Sequence, residues 1–254
     1  MHEKLPTLSN PDGTGIQWGS YEQIREKLEH NFTFADLVLT ISKTDEHSFY
    51  SRWESSLKSQ NDVLLQTLTQ NQLHQYFEPP VYKFYKSLKS TLNSLKETLL
   101  KIIAQNQYQC YFEQRIQEGR IKRCHGDLKA PHLWIAPRDS WCEQELWKSV
   151  SVLDAADFNP SYTHIDVLSD LALLAVDIQA RTQSSSLADL LMERYLQYTK
   201  QQEEVARAVL AYYLVEKAIV GTAISIAYDH VPDLGWAYLA VAEMRLKSLV
   251  EMQY

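Results

Sequence analysis

The sequence predicts a mainly helical α+β domain, with a small β-hairpin island set between two helical segments. Three observations predict it. Residues 20–118 and 161–254 carry apolar side chains at the i, i+3/i+4 spacing of amphipathic or buried helices. Residues 119–160 lose that period and show short apolar runs bounded by Gly, Pro and Asp. The whole chain of 254 residues holds only 7 Gly and 8 Pro, too few for a loop-rich all-β fold.

Taken in order, residues 1–19 are punctuated by Pro6, Asn10-Pro11-Asp12-Gly13 and Gly15, and are expected to form an irregular lead-in. Ser20–Phe34 opens the helical part. Ser20 can cap it, Gln23 stands three residues later as in a capping box, and Ile24, Leu28 and Phe32 share one face. A second helical region, Phe49–Phe77, offers Trp53, Leu57, Leu64, Leu65 and Leu68 to a core and ends at Pro79-Pro80. A third, Val81–Gln105, places Phe84, Leu88, Leu92, Leu95, Leu99 and Ile102 at near-ideal helical spacing. In the island, 119–127 reads as turn, short extended run and loop. Leu133–Ala136 and Ser149–Asp154 read as short strands around a polar turn at 137–140. Trp141 and Trp147 lie in this excursion, either as anchors for a partner or packed back on the strands. Helices are then expected over Ile165–Thr182, Ser186–Thr199, Gln202–Tyr228 and Asp233–Met252. No Pro/Gly/Ser linker divides 20–254, so it is expected to be one domain.

Composition narrows the function. Lys plus Arg number 25 and Asp plus Glu 32, a net charge of −7, which disfavours a nucleic-acid binder working by bulk positive charge. Ala208–Tyr228 is the most apolar stretch, but Glu216, Lys217 and Gly221 interrupt it, and it reads as a buried helix rather than a membrane span. Met1–Pro6 lacks the apolar run of an export signal. Cys110, Cys124 and Cys142 match no zinc spacing and read as reduced thiols, so a cytoplasmic setting is expected.

The chemistry-bearing motif is His125-Gly126-Asp127-Leu128, followed by Asp154 at the end of an apolar strand. One loop carboxylate to orient a hydroxyl, and one strand-end carboxylate to hold Mg²⁺ against phosphates, are what phosphoryl transfer requires. By itself His-Gly-Asp is equally a tight turn. The wider strings are more specific: Arg115–Leu128, Val152-Leu153-Asp154-Ala155-Ala156-Asp157-Phe158-Asn159, Ile165–Asp177 and Tyr212–Ala218. On these the chain resembles the C-terminal lobe of the aminoglycoside phosphotransferase-like (protein-kinase-like) family, in the bacterial branch often fused to a P-loop ATPase domain. The resemblance spans about residues 19–228. It implies Asp127 as catalytic carboxylate, Asp154 as principal Mg²⁺ ligand and His125 as loop support. It implies structural roles for Asp166 and Asp170, whose acidic side chains also suit a helix start on simple electrostatic grounds.

Three departures shape the functional expectation. The family carries Asn five residues after the catalytic Asp; here His132 stands there, a loop or core histidine before it is a metal ligand, because Mg²⁺ prefers oxygen. Only eighteen residues precede Gly19, and residues 20–118 contain no glycine, so a nucleotide-clamping N-lobe is expected to be absent. Around Gly221 and Ala223 the branch's basic residues are missing, leaving Lys217. The expected function is a degenerate, pseudokinase-like C-lobe that binds another protein chain, or itself, over the missing-lobe face. It needs no cofactor of its own. The alternative is a small-molecule phosphotransferase using Mg²⁺ and ATP with its nucleotide lobe supplied by another chain; a decayed remnant is a third reading.

Overall fold

The computed structural model describes residues 17–44, 90–141, 148–157, 160–201, 203–227 and 231–252. The expected second helical region at 49–77, and Phe84 and Leu88 of the third, lie outside the described residues, as do Trp147 and most of the lead-in.

The described part is mostly helical. Helix α1 (Tyr21–Thr44) is followed by a helical stretch at 90–103 (α2) and by α3 (Asn106–Gln117). Four three-residue strands come next or between helices: β1 (Ile121–Arg123), β2 (Leu133–Ile135), β3 (Val150–Val152) and β4 (His164–Asp166). The one-turn α4 (Pro160–Thr163) precedes β4. Four helices complete the fold: α5 (Val167–Thr182), α6 (Ser185–Tyr198), α7 (Glu204–Ala227) and α8 (Pro232–Glu251).

Helix α1 starts where the capping signal placed it, though it runs ten residues beyond the expected end at Phe34. Ser20 Oγ accepts from Gln23 N at 3.3 Å, and Gln23 Oε1 accepts in return from Gly19 N at 2.6 Å. Ile24, Leu28 and Phe32 are buried, as are Leu92, Leu95, Leu99 and Ile102 of α2. Residues 106–117 form a separate helix that the apolar period did not single out. Its stripe is only Tyr108, Phe112 and Arg115, in a sequence rich in Gln.

One expected feature is corrected. The β residues form two ribbons rather than one hairpin island. In the first, β2 pairs antiparallel with β3, with Leu133 opposite Val152 and Ile135 opposite Val150. In the second, β1 pairs antiparallel with β4, with Ile121 opposite Asp166 and Arg123 opposite His164. Residues 165 and 166 are therefore strand, not the first turn of a helix. Asp166, extended at φ −60° and ψ 135°, caps α5 by accepting from Leu168 N at 2.9 Å, which fixes the helix start at Val167.

The core lies around α5 and α7. Helix α5 buries Leu168, Leu171, Ala172, Ala175 and Val176, while α7 buries Val209, Tyr212, Val215, Ala218 and Ile219. Glu204–Ser225 is long and apolar enough to cross a membrane, yet 83% of its most apolar stretch is buried inside the fold. Helices α7 and α8 approach closely at Gly221, where a Cβ would meet the Tyr238 ring at 2.5 Å. The side-chain hydrogen at Gly221 is what lets that ring pack against the helix backbone.

A buried ion pair ties α3 to the β4–α5 junction. Arg115 Nε and Nη2 donate to the two Asp166 oxygens at 2.8 and 2.7 Å, with both side chains 1% exposed. A fork-to-fork pair of this kind orients both groups and makes either alone costly to leave in the interior.

Candidate functional site

The His125-Gly126-Asp127 loop runs between β1 and a short helical turn at Ala130–His132. It is suspended from α5. Asp170, buried at 1% exposure, accepts from His125 N at 2.8 Å and from Gly126 N at 2.9 Å. Gly126 sits at φ +84°, and a Cβ there would lie 2.6 Å from the Tyr162 carbonyl oxygen, so both conformation and space require glycine. One turn pair further along α5, Asp177 accepts from Ala130 N at 2.8 Å. Its other oxygen accepts from Arg181 Nε at 2.8 Å and from the Tyr238 hydroxyl of α8. Asp166, Asp170 and Asp177 thus share one side of α5 and hold respectively a helix, the front of the loop and its back.

The imidazoles complete the scaffold. His125 Nδ1 accepts from Asp127 N at 3.3 Å, and its Nε2 lies 2.8 Å from the Leu153 carbonyl. This network assigns the Nε2–H tautomer, with that hydrogen donated to Leu153. The His125 carbonyl in turn accepts from Ala156 N at 3.0 Å. His125 therefore braces the loop against the segment that carries Asp154. His132 lies behind, its ring 5.9 Å from that of His125. Its Nδ1 donates to the Asp127 carbonyl at 2.8 Å, and its backbone carbonyl accepts from Leu153 N at 3.0 Å.

The two carboxylates predicted from the sequence are brought to the same histidine. His132 Nε2 is 3.5 Å from Asp154 Oδ2, and its Nδ1 is 3.7 Å from Asp127 Oδ2. With Nδ1–H committed to Asp127, the Nε2 contact to Asp154 is attractive only with a proton or another cation between them. Asp154 is 81% exposed and adopts φ 62°, a left-handed conformation that Asp tolerates. Asp127 is half-buried, and its Oδ2 pairs with Lys129 Nζ at 3.2 Å.

Mg²⁺ with ATP is the group that the motif implies, and the donors present do not fit it. Mg²⁺ takes a near-octahedral set of oxygens. Here a lysine ammonium pairs with Asp127, and an imidazole nitrogen rather than an oxygen faces Asp154. Among the described residues no three His, Cys, Asp or Glu side chains converge as a ligand set. The described sheets are two two-stranded ribbons, and none forms a larger cap over the carboxylates.

Sequence reasoning passed over Lys129, which neutralises Asp127, and gave no role to Arg115 or Asp177. A signal for Asp177 existed: the spacing 166, 170, 177 keeps all three carboxylates on one helical side. Arg115 had none, since nothing local marks its partner 51 residues away.

Beside the carboxylates the β2–β3 ribbon is apolar and exposed. Trp134, Ile135 and Leu153 are 66%, 59% and 54% exposed, and Val150 is exposed with them. Trp141 lies against the ribbon's end, donating its indole N–H to the Ala136 carbonyl at 2.7 Å. No family model, curated protein or solved structure matches this chain.

Proposed function

We propose that the chain is a degenerate kinase-like C-lobe that acts as a non-catalytic protein-binding module in the cytoplasm. The face carrying Asp127, Asp154 and the β2–β3 ribbon is its contact surface. The observation that carries this reading is the set of exposed apolar side chains on and next to the β2–β3 ribbon, Trp134, Ile135, Val150 and Leu153. A two-stranded ribbon of three-residue strands gains little from its own pairing, and large side chains left in water on it suit burial against another chain. Tryptophan is the residue type that most often anchors such contacts. The site chemistry supports the same reading. Asp127 is held by Lys129, and His132 occupies the place between the carboxylates.

The test has two arms. The isolated chain is expected to show no Mg·ATP-dependent rise in its melting midpoint, and Asp127→Asn to retain partner binding. The double variant Trp134→Glu/Leu153→Glu is expected to keep the melting midpoint of the parent and to lose the chain that copurifies with it. ATP turnover by the monomer refutes the reading. Turnover that appears only when a second chain is added, and vanishes in Asp127→Asn and Asp154→Asn, replaces it with a split phosphotransferase.

A further inference from the structure

The β2–β3 ribbon has one edge that the described fold leaves open. In its antiparallel ladder Leu153 N donates to the His132 carbonyl at 3.0 Å and Ala136 N to the Ser149 carbonyl at 2.8 Å, with Leu133 opposite Val152. Bonded and non-bonded pairs alternate along such a ladder. The backbone groups of Ser151 therefore face Trp134, while the N–H and C=O groups of Val150 and Val152 point to the far side of β3. Neither valine gives these groups to another described residue. The outer edge of β2 is partly used, because Leu133 N already bonds to the Ala130 carbonyl. The β3 edge is uncharged along its length and exposed at Val150 and Ser151. An edge of this kind is a template for one more strand. Charges lie just beyond its two ends. Lys148 stands three residues before Ser151 and Asp154 three residues after it, and both are exposed.

We infer that the partner of this face is a second copy of the chain, with β3 pairing antiparallel to β3 of that copy about a two-fold axis at Ser151. This pairing presupposes the partner face proposed above and names what occupies it. The outward groups set the register. Val150 of one copy stands opposite Val152 of the other on both sides of the axis, and each such pair exchanges both backbone hydrogen bonds. The two ribbons become one sheet. Directly opposite residues share a face, so Leu133, Ile135, Val150 and Val152 of both copies line one side of it as a continuous aliphatic band. On the other side the two small Ser151 side chains meet at the axis, between the two Trp134 rings. Charge favours a second copy and this orientation. An antiparallel ladder centred on Ser151 brings Lys148 of each copy to the end where Asp154 of the other lies; a parallel one would set Lys148 against Lys148 and Asp154 against Asp154. The seam is short, which places the dimer among weak interfaces of under about 1,200 Å² with roughly micromolar dissociation.

Sedimentation velocity of the full chain from about 1 to about 500 µM should show a monomer–dimer equilibrium. Over the same range amide exchange should slow at Val150 and Val152 and stay unchanged at Ile135, whose N–H points to the opposite edge of the ribbon. Lys148→Asp and Asp154→Lys, each alone, should weaken the dimer about tenfold at low salt. An equal mixture of the two variants should restore it, because opposite charges then return to both ends of the seam. Val152→Pro removes one outward N–H, leaves the donors of the inner ladder in place, and should abolish pairing. Restored association in the mixture supports the pairing even where Val152→Pro fails to fold. A chain that stays monomeric throughout overturns the inference and leaves the partner face to a different protein. So does a dimer indifferent to the charge variants, or one whose newly protected amides lie elsewhere. A dimer with the expected properties that turns over ATP supports the pairing and removes only the non-catalytic reading.

Discussion

Replacing Lys27 by methionine should make the protein more stable at neutral pH, and the gain should disappear in alkali. The folded state lowers the Lys27 ammonium from 10.5 to about 8, chiefly because the half-buried group loses water and secondly because Lys217 faces it; Glu216 and Asp170 oppose the shift. A fall of that size corresponds to about 3 kcal/mol of disfavoured charge, and solvent access to the half-buried group brings the expected gain nearer ~2 kcal/mol. Methionine keeps most of the apolar stem and carries no charge. The sign follows from proton counting. Below pH 8 both folded and unfolded chains hold the proton, so the whole penalty is present in the parent protein. Between pH 8 and 10.5 the unfolded chain binds more protons than the folded one, and this group's contribution to stability rises with pH. Above 10.5 both are neutral and the penalty is gone. Paired urea titrations of parent and variant at pH 7, 9 and 10.5 measure it as the difference between the two proteins. A variant less stable than the parent at pH 7 refutes the reasoning. So does a gain that is unchanged at pH 10.5, which would belong to packing rather than charge.

Two further substitutions probe the scaffold. Arg115→Ala leaves the Asp166 carboxylate buried without its partner and should cost about 3–5 kcal/mol in chemical denaturation; a loss under about 1 kcal/mol would mean that water replaces the guanidinium there. Gly126→Ala forces a methyl group to within 2.6 Å of the Tyr162 oxygen in a left-handed backbone, and should cost about 2 kcal/mol or more; a variant as stable as the parent would show that the loop can take another path.

Much of the helical layout could be read from the chain, because burial imposes a period on it. Ile24, Leu28 and Phe32, or Leu92, Leu95 and Leu99, recur every three or four residues and are all in the interior. The capping pair Ser20 and Gln23 located the start of α1 for a local reason, a hydrogen-bond exchange within four residues. What escaped was non-local. Nothing in Ile165-Asp166 announces that these residues pair with Lys122 and Ile121, since three-residue strands carry no usable period and their ladder partners are more than forty residues away. The candidate site divides in the same way. His125, Asp127, Asp154, His132, Asp166 and Asp170 could be named from a motif. That Lys129 turns back onto Asp127 depends on the path of the loop, and that Lys27 and Lys217 line one notch depends on the packing of elements far apart in sequence. The polar spacing in α3 hid its buried arginine, because a charged side chain in the interior has no hydropathy signature.

Asp177 gives the molecule an order of assembly. Its carboxylate is fully buried, and one of the groups that satisfy it, the Tyr238 hydroxyl, belongs to the final helix. The backbone N–H of Ala130, on the far side of the same carboxylate, is thereby linked to α8. During synthesis the segment around Ala130 and α5 emerge before α8, so the Tyr238 hydroxyl is the donor that this carboxylate receives late. A chain without α8 would leave Asp177 short of the Tyr238 donor alone, with Ala130 N–H and Arg181 still on the carboxylate and the front of the loop still held by Asp170.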